Sequence, residues 1–216
     1  MEFVQLVFTL FSLVIIVGAG FFLLTRFQPQ RVKALNELAQ RKDWQFQSIG
    51  GLPRSALQLT FASVNPAELR QHGRCITGEN EKFRFYSCDA SYVDMQISTQ
   101  TIVLVIPKEL DAETPKDPEA WHLLLGKRRQ LDQFDQVAQH TLEHLDTKLG
   151  MAYRSDQLHK AQLAIPFVKP FAEKKIQIEW LQKHLILYKP NHILEPEFIE
   201  QVIEQATDLY EKLETI

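Results

Sequence analysis

Hydrophobic and polar positions change rhythm along this chain. Residues 3–25 have no rhythm: 23 uncharged residues lie between Glu2 and Arg26, and only Gln5, Thr9, Ser12 and Thr25 are distinctly polar. As a helix this run is roughly 35 Å long and apolar all round, which suits a hydrocarbon core of about 30 Å. Val17-Gly18-Ala19 offers the small residues of a cleavage site. No Lys or Arg precedes the run, however, and Phe21-Phe22-Leu23-Leu24 continues it, so a retained span is expected rather than a cleaved signal. Beyond Pro29, Val32, Leu35, Leu38 and Ala39 recur at three and four, which predicts an amphipathic helix over 30–42.

The period then shortens to two. Trp44-Gln45-Phe46-Gln47 alternates and predicts a strand before the Gly50-Gly51-Leu52-Pro53 turn. Arg74–Thr77 and Lys82–Cys88 predict a hairpin around a four-residue loop, Gly78-Glu79-Asn80-Glu81. In that reading Cys75 and Cys88 flank the turn but are offset from direct opposition. Ile102-Val103-Leu104-Val105-Ile106 is apolar on both faces and ends at Pro107, so it predicts a central strand. Residues 107–119 hold three prolines and five acids and read as a solvated loop, where the domain could subdivide.

Helical spacing returns at Leu131, Phe134, Ala138, Leu142, Leu145 and Leu149, with Gly150 as the stop, which predicts a helix over 131–149. A shorter helix near 156–164 is expected to end before Pro166. Ile176, Ile178 and Trp180 alternate with polar residues, Gln182-Lys183 turns the chain, and Leu185–Tyr188 returns as a second hairpin. Phe198, Ile199, Val202, Ile203, Ala206, Leu209, Tyr210 and Leu213 then predict a long amphipathic helix. Pro196 sits at its first position, Glu197 and Glu200 at its positive end and Lys212 at its negative end. The expected fold class is therefore α+β: an N-terminal transmembrane helix, then a mainly antiparallel sheet with packed helices.

Charge supplies an orientation. Arg26, Arg31, Lys33, Arg41 and Lys42 follow the apolar run, against Glu37, and no base precedes it. Positive flanks stay inside, so the amino terminus is expected outside and residues 26–216 in the cytoplasm, with those five bases at the membrane surface. In that compartment Cys75 and Cys88 are expected to be free thiols. Over the whole chain 24 Lys and Arg stand against 27 Asp and Glu, a net charge of −3, which argues against a generally basic nucleic-acid binder. Two cysteines exclude a disulfide scaffold and a four-cysteine zinc site.

The sharpest chemical motif is His140-Thr141-Leu142-Glu143-His144, an H-x-x-E-H sequence. On a helix the two histidines share a face and can ligate zinc while Glu143 activates a metal-bound water. A third ligand does not stand out downstream, such a match arises by chance, and a solvated helix flank is the favoured reading. No G-x-S-x-G elbow and no Gly-rich phosphate loop occurs. Lys127-Arg128-Arg129 reads as a solvated helix start, and Trp44, Trp121 and Trp180 as core or membrane-surface residues.

The span, the stretch Leu35-Asn36-Glu37-Leu38-Ala39-Gln40-Arg41-Lys42-Asp43-Trp44, the Thr99-Gln100-Thr101-Ile102-Val103 strand, Tyr153-Arg154-Ser155-Asp156 and the final hairpin and helix together resemble a group of bacterial membrane-anchored proteins with a domain of unknown function. The resemblance implies one anchor and an α+β cytoplasmic domain, and it carries over no activity and no functional residue. The expected organisation is an anchor over 1–25, a basic juxtamembrane helix and first strand over 26–49, and an α+β domain over 50–216. The expected function is a non-catalytic binding or interaction module on a single-pass inner-membrane protein. Its partners are the lipid bilayer and a protein, with no nucleic acid and no cofactor. The alternatives are a membrane-tethered zinc hydrolase using the H-x-x-E-H motif, with zinc as its metal, and a lipid-surface sensor built on the basic flank.

Overall fold

The computed structural model describes residues 30–57, 59, 61, 72–94, 96–110, 121–127, 137–140, 149–154 and 157–216. The expected span over 1–25 lies outside them, as does Arg26. No helix among the described residues is long and apolar enough to cross a membrane.

The fold is α+β, built on one antiparallel sheet. Its strands are β1 (Gln45–Gln47), β2 (His72–Glu79), β3 (Phe83–Asp94), β4 (Gln96–Pro107), β5 (His122–Lys127), β6 (Val137–His140), β7 (Leu149–Arg154), β8 (Gln177–Leu181) and β9 (His184–Tyr188). They lie in the order β1-β2-β3-β4-β9-β8-β5-β7-β6. Strands on both sides of 107–119 therefore share one sheet; residues 111–120 are outside the described set. β4 is internal, as its two-faced apolar run predicts, and Val103 and Val105 are fully buried.

One face of the sheet carries Val103, Val105, Leu123, Leu125, Ile178, Leu185 and Leu187. Three helices cover it. The amino-terminal helix, 30–42, contributes Leu35 and Leu38. A second helix, Leu158–Glu173, contributes Ala161, Ala164, Val168 and Ala172. The C-terminal helix, Pro196–Glu214, contributes Ile199, Ile203, Ala206, Leu209 and Leu213. Each buried Ile or Leu stabilises the packing by about 1.5–3 kcal/mol. The opposite face carries Cys75, Cys88, Ile102, Leu104 and Ile186, and Leu52, Ala56, Leu59 and Phe61 pack against it.

Five sequence readings change. The first hairpin turns at Asn80, not around Gly78: Asn80 Oδ1 accepts from the Lys82 and Phe83 amides, an Asx turn. Gly78 stays in β2 because the Trp44 and Phe85 rings, packed edge to face at 4.8 Å, fill the place a Cβ would take. The shifted turn brings Cys75 directly opposite Cys88, with Cα atoms 4.1 Å apart and the sulfurs joined as a disulfide, so neither is the free thiol expected.

The helix expected over 131–149 gives way to strand at Val137–His140 and again from Leu149. These two segments pair with each other, and β7 pairs with β5, so sheet hydrogen bonding overrides the helical spacing. Gly150 faces Gly126 in that ladder instead of ending a helix. Likewise the helix from Leu158 does not stop at Pro166 but runs through it and Pro170. Both prolines are exposed, while the small stripe Ala161, Ala164, Val168 and Ala172 lies flush on the sheet. Lys127 ends β5 and starts no helix.

Candidate functional site

The H-x-x-E-H residues are not brought together on a described helix. His140 ends β6, where side chains alternate between faces and the i, i+4 logic of a helix does not hold. Glu143 and His144 lie outside the described residues. Among the described residues no group of three metal-ligating side chains forms.

The basic flank divides in two. Lys33 and Arg41 are exposed. Arg31 and Lys42 instead fasten the amino-terminal helix to the domain at its two ends. Lys42 pairs with Glu200 of the C-terminal helix. Arg31 makes a bidentate pair with Asp89 of β3: Nε donates to Oδ2 and Nη2 to Oδ1, both at 2.8 Å. These side chains are 13% and 11% exposed, so water screens the pair little.

Asp89 is a hub. Its Oδ1 also accepts from the Thr101 hydroxyl of β4 at 2.9 Å. Thr101 Oγ1 in turn accepts the Leu194 amide at 2.9 Å, and the Thr101 amide donates to the His192 carbonyl at 3.0 Å. The start of the amino-terminal helix is thus wired through two strands to the 189–195 loop.

Thr101 also lines a cavity of about 290 Å³ between that loop and the C-terminal helix. Two lysines, Lys174 and Lys189, line it together with His192, and its apolar lining includes Ile176, Leu187 and Phe198. No acid lines it, although the C-terminal helix is strongly acidic on its outer face. Phe198, also in the lining, is a large apolar ring left 56% exposed. The two lysines owe their proximity to the second hairpin. Lys174 precedes β8 and Lys189 follows β9, and an antiparallel pair brings its open ends together. Gln182 and Lys183, both at positive φ, make its two-residue turn.

The sheet face away from the helices holds a buried polar strip on the same strands. Glu179 of β8 is fully buried, and its Oε1 lies 2.7 Å from His122 Nε2 on β5. The His122 amide donates to Gln157 Oε1 at 3.2 Å. The Tyr188 hydroxyl donates to Gln177 Oε1 at 2.5 Å. His184 donates through Nδ1 to the Gln182 carbonyl at 2.8 Å. Burial lowers its pKa below the usual histidine value, against the raising effect of its hydrogen bonds to the Gln182 and Leu181 backbone. The strip couples strands to one another inside the fold; the cavity is where polar and apolar groups meet solvent.

Sequence reasoning missed Thr101, Lys174, Lys189 and His192. A signal was available for two of them: bases on both sides of a predicted hairpin must end up side by side. Trp121 and Trp180 are buried together, ring centroids 5.8 Å apart, as core residues. Comparison with family models, with curated proteins and with solved structures finds no match.

Proposed function

We propose that the chain is a single-pass inner-membrane protein whose α+β domain is a binding module held rigidly against the membrane face. The observation that carries this reading is the Arg31–Asp89 pair. Only residues 26–29 separate the uncharged run from the helix that Arg31 pins to the sheet. Five peptide steps from Thr25 to Gln30 reach at most about 18 Å. The end of the sheet bearing Asp89, Thr101 and the cavity is therefore tied close to the end of the span. A loosely tethered domain needs no such fastening.

Binding rather than catalysis is favoured by how the buried polar groups are used. Asp89 fastens a helix and a loop, and Glu179 and His122 hold strands together. The zinc-hydrolase reading loses its helical premise at His140. The basic flank favours a cytoplasmic domain. The Cys75–Cys88 bond favours the opposite orientation, because disulfides persist in oxidising compartments.

The test is fractionation of cell membranes with alkaline carbonate, together with a reporter fused after Ile216. Retention in the pellet, lost on deletion of residues 3–25, is expected, with reporter activity in the cytoplasm. Release of the full chain by carbonate would end the anchored reading, and periplasmic reporter activity would reverse the orientation.

A further inference from the structure

We propose that the cavity between the 189–195 loop and the C-terminal helix binds an amphipathic anion: a carboxylate or phosphate head held by Lys174, Lys189 and His192, with its chain against Ile176, Leu187 and Phe198. Three observations on the protein converge on this class of ligand. The charged groups lining the cavity are all basic, in a chain whose net charge is −3. None of the three has an ion-pair partner among the described residues, whereas Arg31, Lys42 and Lys82 each have one. The lining also includes the apolar Ile176, Leu187, Leu194 and Val202 and the exposed Phe198, so a bare ion would leave that surface uncovered.

Size refines the class. At about 30 Å³ per water-sized group, 290 Å³ holds roughly ten such groups. That admits a charged head and the first carbons of a chain, with the rest of the chain leaving past Phe198. A whole lipid does not fit inside. Two sources supply this chemistry: an anionic lipid of the bilayer, reaching up from the membrane, and a free fatty acid or alkyl phosphate. The lipid source rests on the membrane-tethered reading above; the cavity's chemistry does not.

The experiment uses the full chain in nanodiscs and octanoate, octyl phosphate, octanol and inorganic phosphate as probes, by isothermal titration. In phosphatidylcholine discs, octanoate and octyl phosphate are expected to bind saturably at one site, and octanol and inorganic phosphate at least about tenfold more weakly. Lys174→Gln or Lys189→Gln is expected to weaken octanoate about tenfold, the loss of one hydrogen bond to a charged group. Phe198→Ser is expected to weaken octanoate while leaving inorganic phosphate unchanged. All three residues lie at the surface or the cavity wall, and an unchanged thermal melt confirms that each variant folds.

Discs of phosphatidylglycerol separate the sources. If lipid heads occupy the cavity, octanoate affinity falls there and is restored relative to wild type by neither lysine variant; if the ligand is a free amphiphile, affinity is the same in both discs. Octanol binding as tightly as octanoate, affinity unmoved by both lysine variants, or no saturable binding would each overturn the proposal. Octanoate binding by a chain that carbonate releases from membranes would keep the cavity's ligand class and remove only the tether.

Discussion

Asp89→Ala removes the acceptor of three side-chain hydrogen bonds, two from Arg31 and one from Thr101. The Arg31 guanidinium is then left about nine-tenths buried without its carboxylate. Breaking a fully buried pair from one side costs about 3–5 kcal/mol, and residual exposure trims this to about 2–4 kcal/mol. A domain stable by about 5–15 kcal/mol survives that loss and registers it clearly. With a urea slope of about 1–3 kcal/mol per molar, the midpoint should fall by on the order of 1 M. The assay is urea unfolding of the full chain in nonionic detergent, followed by tryptophan fluorescence, for Asp89→Ala, Arg31→Met and the double variant. The double variant should recover much of the loss, because neither charge remains buried, giving a coupling energy above about 1 kcal/mol. Additive single effects each below about 0.5 kcal/mol would refute the reasoning: the amino-terminal helix would then not be fastened to the sheet.

Three further outcomes follow from the same geometry. Val103→Asp and Val105→Asp each place a carboxylate in the fully buried middle of β4, costing several kcal/mol, and should abolish the cooperative melt; a tolerated substitution would put β4 at an edge. His184 has a lowered folded pKa, so the unfolded chain takes up the proton first. Its stabilising effect is present above about pH 6.5 and is lost as pH falls, at up to about 1.4 kcal/mol per pH unit; His184→Gln should flatten that slope in melts between pH 7 and 5, and an unchanged slope would remove His184 as its source. Reducing Cys75–Cys88, 13 residues apart, should lower stability by about 3 kcal/mol through the freed loop, and Cys75→Ser in oxidising buffer should match the reduced wild type; equal stability with and without reductant would mean the bond does not constrain the chain.

The elements legible in the sequence are those whose own pattern leaves one answer. The run Ile102–Ile106 is apolar on both faces and can only be an inner strand. The stripe from Ile199 to Leu213 is wide enough that its sheet-facing side is fixed by spacing alone. Gln182-Lys183 between an alternating run and the apolar run Leu185–Tyr188 leaves room for no turn but the one observed. The misreadings arise where a distant segment decides. Gly78 and Asn80 both suit a turn, and the rings of Trp44 and Phe85 choose between them by filling the space above Gly78. Pro166 would end an isolated helix, but four small residues packed on the sheet carry the helix through it. Leu142 and Leu149 keep helical spacing, while the pairing of β6 with β7 depends on a neighbouring strand that no local window contains. The cavity is the extreme case: Lys174, His192 and Phe198 meet through the closure of one hairpin and the fastening of one loop to Thr101.

We propose that the Asp89 end of the sheet faces the membrane. Lys189 lies at that end and Lys82 at the opposite one, in the turn before Phe83. Six residue steps along β3 separate Phe83 from Asp89, about 20 Å along the strand. Full-length Lys189→Cys and Lys82→Cys, each carrying a nitroxide in discs with gadolinium-labelled lipid headgroups, report that distance through relaxation enhancement. Strong enhancement is expected at position 189 and weak enhancement at position 82. Equal enhancement, or the reverse order, would contradict it.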